Sequence, residues 1–357
     1  MAAHMRATMK EAMLYEKIED KKVRCGLCNH RCIILPSKRG ICGVRENQEG
    51  TLYTLVYERL VSANIDPIEK KPFFNFYPGT RSYSISTVGC NFRCLHCQNY
   101  EISQMPKDGK GMITGDAVKA EEIVEAAEKS RCKSIAYTYT EPTIFFEYAY
   151  DTAKLANKKG IKNVFVTNGY MTKEALTLIK PYLDGANVDL KFFNEKTHQK
   201  ICGAKVGHVL DTIKLMREYN IWVEVTTLII PTLNDSDDEL KQIAEFVYSV
   251  GPEIPWHISA FYPTYKLKDK PRTPAATLKK ARKIGFDAGL RYVYTGNIPG
   301  DEGEDTLCYN CKTMLIDRHG YEILKYNIKD SLSAEQAGRC PKCDTIIDGR
   351  GIEEFEK

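Results

Sequence analysis

Residues 82–97 read Ser82-Tyr83-Ser84-Ile85-Ser86-Thr87-Val88-Gly89-Cys90-Asn91-Phe92-Arg93-Cys94-Leu95-His96-Cys97. The first seven carry a strand signal of β-branched and aromatic residues, and Gly89 ends it. Three cysteines then follow at C-x3-C-x2-C spacing: Cys90, Cys94 and Cys97. Thiolates suit iron–sulfur clusters, and a [4Fe–4S] cube normally takes four of them. Three local thiolates leave one iron with an open position, and open metal positions are the ones that do chemistry. The rival reading is a three-thiolate zinc site completed by His96 or His30.

Outward from this stretch the chain alternates helix and strand. Helical spacing over 117–129 (Val118, Ile123, Val124, Ala127) precedes a strand over 134–140. The same pair recurs at 144–158 and 163–167, 173–183 and 186–191, 209–219 and 221–230, 237–250 and 256–261, and 274–288 and 292–295. Strands separated by helices of this length imply right-handed βαβ units and a parallel sheet. The expected class is α/β: a TIM-like (β/α) barrel, complete or partial, over residues 81–299, with an open doubly wound sheet as the alternative. In either fold functional groups collect at the C-terminal ends of the strands, where the cysteine triplet falls.

The 357 residues suggest two or three domains at roughly 150 residues each. With 43% hydrophobic and 27% charged residues the chain is an ordinary globular one. Lys plus Arg is 51 and Asp plus Glu 47, a net charge of +4, which gives no electrostatic reason to expect nucleic acid or membrane as partner. Apolar runs such as 228–231 fall far short of the roughly 20 residues of a spanning helix. No signal-peptide core follows the start, so the protein is expected in the cytoplasm.

Eleven of the 13 cysteines fall into three groups, which in a long cytosolic chain reads as metal or cluster ligation. Cys308-x2-Cys311 and Cys340-x2-Cys343 are two knuckles of an S4 site, read as structural zinc in a ribbon-like module over 300–357, with a single iron as rival. So small a tail needs its metal to fold. Cys25, Cys28, Cys32 and Cys42 belong to a cysteine-rich module and extended connector over 25–80. Their irregular spacing fits structural zinc or a second [4Fe–4S] cluster, with zinc preferred. Residues 1–24 read as a leader with a vector-derived start, and the acidic run 301–305 as a linker. Cys132 and Cys202 read as ordinary buried thiols.

The triplet with the following Gln98-Asn99 resembles the radical S-adenosylmethionine (SAM) superfamily, within it the branch of the pyruvate formate-lyase activating enzymes. The N-terminal cysteines, the stretch 66–72, the stretch 89–99 and Tyr294-Thr295-Gly296-Asn297 are similar to the radical SAM member of the AmmeMemoRadiSam system. The resemblance implies that Cys90, Cys94 and Cys97 hold a [4Fe–4S] cluster whose fourth iron is chelated by SAM. It places His96 where relatives set an aromatic residue on the adenine. Thr140 and Glu141 occupy a Gly-Gly-Glu-Pro-like turn, with Glu141 suited to the methionine ammonium. Thr167, Asn168, Asp189 and Lys191 would line SAM; the alternative for Asp189 and Lys191 is a plain internal salt bridge. His257 is either a SAM or substrate contact or a hydrogen-bonded core residue. Implied partners are an external donor of the flavodoxin or ferredoxin type and Memo-like and AMMECR-like proteins. The implied activity is reductive cleavage of SAM to a 5′-deoxyadenosyl radical that abstracts hydrogen from an unassigned substrate. Two alternatives stand beside it: an activating enzyme for a glycyl-radical protein, and a non-catalytic zinc-binding adaptor.

Overall fold

The computed structural model describes residues 9–298, 300, 302–329 and 338–355. The first eight residues of the expected leader and Asp301 of the acidic run lie outside the described residues. An eight-stranded sheet forms the body: β1 (Ser62–Pro67), β2 (Arg81–Ser86), β3 (Ser134–Tyr137), β4 (Lys162–Thr167), β5 (Gly185–Asp189), β6 (Trp222–Ile229), β7 (Trp256–Ala260) and β8 (Val293–Gly296). Its spatial order is its chain order. β2 to β8 are parallel throughout. β1 lies antiparallel on β2, with Ser62 opposite Ser86 and Pro67 opposite Arg81. A doubly wound sheet reverses its strand order at a switch point. This one winds in a single direction, so that alternative falls. Among the described residues β1 and β8 do not pair, and the sheet stays open.

Among the described residues seven helices of seven or more residues accompany the sheet: α1 (Ala120–Lys129), α2 (Phe146–Lys158), α3 (Lys173–Ile179), α4 (Glu195–Cys202), α5 (Val206–Glu218), α6 (Asp237–Val250) and α7 (Ala275–Asp287). α6 matches its sequence reading because every local signal agrees. The Ser236 hydroxyl accepts from the Glu239 amide at 3.3 Å, three acidic residues oppose the macrodipole, and Leu240, Ile243, Ala244 and Val247 form one buried face. Two elements escape the sequence reading. α4 buries only His198, Ile201 and Cys202 and lacks an apolar stripe. β1 exposes three consecutive residues and has no alternation.

The aromatic stretch 72–77 plugs the N-terminal end of the sheet. Gly185, the first residue of β5, is so close to Phe76 and Phe73 that an added β-carbon would meet both rings at 3.2–3.3 Å. Fully buried Glu224 of β6 ties the plug down. It accepts the amides of Phe74 and Asn75 at 3.0 and 2.9 Å and the indole N–H of Trp222 at 3.0 Å, and His257 Nε2 lies 2.6 Å away. A buried donor left without a partner costs about 1–3 kcal/mol. Glu224→Ala is therefore expected to destabilise the chain by about 3–5 kcal/mol, because several donors lose their acceptor together. Urea unfolding checks this, and a loss below about 1 kcal/mol would mean that water replaces the carboxylate.

Residues 10–24, read as a leader, are built into the fold. Lys10–Glu11 pairs with Thr51–Thr54, which also holds Arg45–Gln48. Tyr15–Lys17, Val23–Cys25 and Ile33–Ile34 make a second small sheet. The acidic run is likewise not a loose linker from Glu302 on. Asp305 Oδ1 accepts the Arg318 amide at 2.8 Å, and Glu304 Oε2 accepts the Gly320 amide at 2.9 Å. The tail (Thr306–Leu307, Met314–His319, Glu322–Tyr326) shares a core with the body through Phe74, Tyr292, Tyr294, Leu315, Ile316, Ile347 and Ile352. Among the described residues no helix is long and apolar enough to cross a membrane.

Candidate active site

The C-terminal ends of the parallel strands open into one cavity of about 860 Å³. Cys90, Cys94 and Cys97 line it, as do Thr140, Glu141, Asn168, Asp189, Lys191, His257 and His96. Parallel winding explains the gathering: residues distant in sequence share one rim because each follows a strand pointing the same way.

The triplet loop is held by backbone bonds rather than by regular structure. The Arg93 and Leu95 amides donate to the carbonyls of Cys202 and Ile201, each at 3.0 Å. The Phe92 amide lies 3.3 Å from Cys90 Sγ, and Ser103 Oγ lies 3.1 Å from Cys97 Sγ. Among the described residues, Cys90, Cys94 and Cys97 do not form a set with all sulfurs within 4.8 Å.

Glu141 is buried and anchors the neighbouring strand ends. Its Oε1 accepts from the Thr143 amide (3.0 Å), the Thr143 hydroxyl (2.5 Å) and the Thr167 hydroxyl (2.7 Å). Its Oε2 accepts from the Asn168 amide at 2.8 Å. Burial pushes its pKa up, opposed by these donors. Thr167 thus acts on Glu141, while Asn168 also donates to Asn91 Oδ1 at 2.7 Å and reaches Cys90 Sγ at 3.8 Å. The Thr140 hydroxyl donates to the Thr87 carbonyl at 2.9 Å, joining the ends of β2 and β3. Before it, Tyr139 sits at φ 61°, a left-handed conformation that glycine adopts most readily. Asn99 Nδ2 donates to its carbonyl at 2.8 Å, and Lys71 Nζ lies 4.3 Å from its ring centre.

Lys191 Nζ and Asp189 Oδ2 pair at 2.7 Å on the cavity wall. Burial pulls the Lys191 pKa down, but the Asp189 carboxylate beside it, with the nearby Cys94 and Cys202, outweighs that and raises it. His257 is buried, stacks on Tyr294 (5.2 Å between ring centres, 29°) and bonds to Glu224. His96 is buried with Nδ1 unpartnered, and burial holds its pKa down at about 3. It meets Phe192 edge-on at 6.0 Å. Its ring nitrogen, Cys94 Sγ and Cys202 Sγ lie within 4.8 Å of one another. Cys202, read from sequence as an ordinary thiol, therefore stands directly behind Cys94 of the triplet. It comes from α4, the helix that sequence periodicity does not reveal.

The flanking groups differ from each other. Cys308 and Cys343 sulfurs are 3.6 Å apart, Cys311 and Cys340 sulfurs 3.5 Å, and all four lie within 4.8 Å. Tetrahedral zinc with bonds of about 2.3 Å puts its sulfurs about 3.8 Å apart, so this set fits a single ion. Among the described residues, Cys25, Cys28, Cys32 and Cys42 form no such set.

Residues 84–247 match the Radical SAM superfamily. An uncharacterised protein of Methanocaldococcus jannaschii is 47% identical over 341 residues, 95% of this chain and 99% of that protein. The pyruvate formate-lyase 1-activating enzyme of Escherichia coli is 24% identical over 46% of this chain and 67% of its own length. A solved domain of pyruvate formate-lyase-activating enzyme from Bacteroides vulgatus superposes with TM-score 0.41 at 21% identity, covering 46% of this chain and 99% of that domain. With its cysteine triplet at the first parallel strand and its rim of strand-end polar groups, the chain belongs to the radical SAM superfamily and is an enzyme of that class.

Proposed function

We propose that the chain reductively cleaves SAM at a [4Fe–4S] cluster held by Cys90, Cys94 and Cys97 and abstracts a hydrogen atom from a substrate bound in the same cavity. The carrying observation is the convergence of three cavity-facing thiols, a buried carboxylate and a Lys–Asp pair on one rim. When bound, the cluster supplies the electron that breaks the SAM C5′–S bond, giving methionine and a 5′-deoxyadenosyl radical. The residues bind, orient and exclude water. Glu141 offers Oε2, with one protein donor, to the methionine ammonium by a charge-assisted bond. Asp189 and Lys191 present one charge of each sign to the zwitterion of methionine. His96 and His257 supply flat walls. The electron comes from an external flavodoxin or ferredoxin type donor. The Memo-like and AMMECR-like partners rest on sequence resemblance alone.

Between the readings of substrate, a compact molecule or a short segment is favoured over a large glycyl-radical protein. His319, Gly320 and Tyr321 of the tail hairpin, together with Glu304, line the cavity and narrow the approach for a folded partner. Reconstituted anaerobically with iron and sulfide, the protein is expected to form 5′-deoxyadenosine and methionine in equal amounts from SAM and dithionite. A correctly loaded cluster without either product overturns the reading. Glu141→Gln removes the charge-assisted bond, worth about 1.4 kcal/mol over a neutral one, so SAM should bind about tenfold more weakly with the iron content unchanged. Equilibrium binding of SAM to the loaded enzyme measures it; unchanged affinity would remove Glu141 from the SAM site.

A further inference from the structure

We infer that Cys25, Cys28, Cys32 and Cys42 hold a second [4Fe–4S] cluster that relays electrons to the triplet, and not a structural zinc ion. As a relay, this rests on the function proposed above; as a metal site, it stands by itself. The geometry comes first. The four cysteines share one small module: the Cys25 amide bonds to the Cys32 carbonyl at 2.9 Å, and a β-carbon on Gly40, two residues before Cys42, would meet Cys32 Sγ at 3.8 Å. Yet among the described residues no three of their sulfurs lie within 4.8 Å of one another. The tail quartet, with sulfurs at 3.5–3.6 Å, shows how this same chain arranges thiols for one ion. The N-terminal quartet, like the triplet, forms no single-ion set among the described residues, as thiolates bound to separate irons require.

The surroundings suit a redox centre. Arg45, 1% exposed, directs Nη1 to Cys25 Sγ at 3.6 Å while Nη2 pairs with buried Glu147. Arg45 Nε remains buried without a partner. Donors to cluster sulfurs are a principal means of setting a cluster's potential, whereas a closed zinc site has no potential to set.

Position supplies the rest. A β-carbon on Gly89, the residue before Cys90, would lie 3.3 Å from the Cys42 carbonyl oxygen and 2.6 Å from Val44 Cγ1. His30 Nε2 bonds to the Asn91 carbonyl at 2.9 Å. The two cysteine loops are thus in direct backbone contact. On the outer side Cys28 and Cys32 are half-buried, and nearby Ile33, Leu35 and Ile41 are 48–58% exposed, so an external protein has access. In the relay one electron from a low-potential donor of the ferredoxin or flavodoxin class takes the outer cluster from 2+ to 1+. The same electron then moves to the inner cluster and returns the outer one to 2+, with no atom or proton transferred.

The test uses the full chain, reconstituted anaerobically, with iron, acid-labile sulfide and zinc counted per chain. Wild type is expected to carry about eight cluster irons and about one zinc. Reduced by dithionite, it should give about two electron spins per chain, of which SAM perturbs one. About one spin, all of it perturbed by SAM, together with about two zincs per chain, overturns the inference. Two variants separate the possible failures. Cys90→Ala/Cys94→Ala/Cys97→Ala should keep about four irons with labile sulfide; a folded variant without sulfide overturns the second cluster. Cys28→Ser/Cys32→Ser should also keep about four irons at the triplet; absence of sulfide there counts instead against the function proposed above.

Discussion

Cys94→Ala should abolish 5′-deoxyadenosine formation altogether, to below detection under conditions where wild type turns over. Cys94 is buried at the centre of the loop, between Cys90 and Cys97, and its neighbours Arg93 and Leu95 are pinned to the end of α4. The nearest substitute is Cys202, whose sulfur already lies within 4.8 Å of Cys94 Sγ. A fully buried thiol fixed at a helix end sits behind the loop and does not line the cavity. The double variant Cys94→Ala/Cys202→Ala decides whether it rescues binding. If Cys94→Ala alone retains iron and product and the double variant loses both, Cys202 is a surrogate ligand. If both variants still make product, the triplet is not the cluster site. The readout is product together with iron and sulfide per chain, so loss of chemistry and loss of cluster are seen separately.

The second large effect concerns the tail. Cys340→Ser is expected to abolish ion binding by the tail quartet, whose sulfur spacing fits one ion, and to unfold residues beyond about 300, because that module is short of apolar core without a metal. Apparent binding free energies of structural zinc run to about 10–16 kcal/mol in small modules, and this free energy becomes folding free energy. The tail gains further support from the body: Arg291 binds Asp348 through both carboxylate oxygens at 2.9 Å, and Asn75 donates to the Asp348 carbonyl at 2.7 Å. These contacts do not replace the metal, since Cys308 and Cys340 are themselves part of the shared core. Limited proteolysis should therefore cut the tail at least about 100-fold faster in the variant, as a loss of about 3 kcal/mol of local stability requires. The same variant should lose substrate-dependent turnover more than uncoupled SAM cleavage, since His319 and Tyr321 face the outer part of the cavity. Unchanged proteolysis after metal removal would show the body alone holds the tail in place.

The sequence by itself determined the chemistry and the main periodicity. Cysteine spacing singled out the triplet and both quartets, because ligand sets in neighbouring turns are local features. α6 and the strands β3 to β8 were legible within a few residues, since long buried elements repeat their apolar residues at a fixed period. β1, α4 and the strands inside residues 10–24 were not, because an exposed edge strand, a polar single-face helix and two- or three-residue strands have no period to read. Only the tertiary structure decided how the sets differ. The sulfurs of the tail quartet converge to the spacing of one ion, while those of the N-terminal quartet form no such set among the described residues, and the Cys42 carbonyl packs against Gly89 of the triplet loop. It also set Cys202 behind Cys94, anchored His257 on Glu224 and closed Glu141 within Thr143, Thr167 and Asn168. Distances between groups remote in the chain follow from how strands and loops pack, which one-dimensional spacing does not carry.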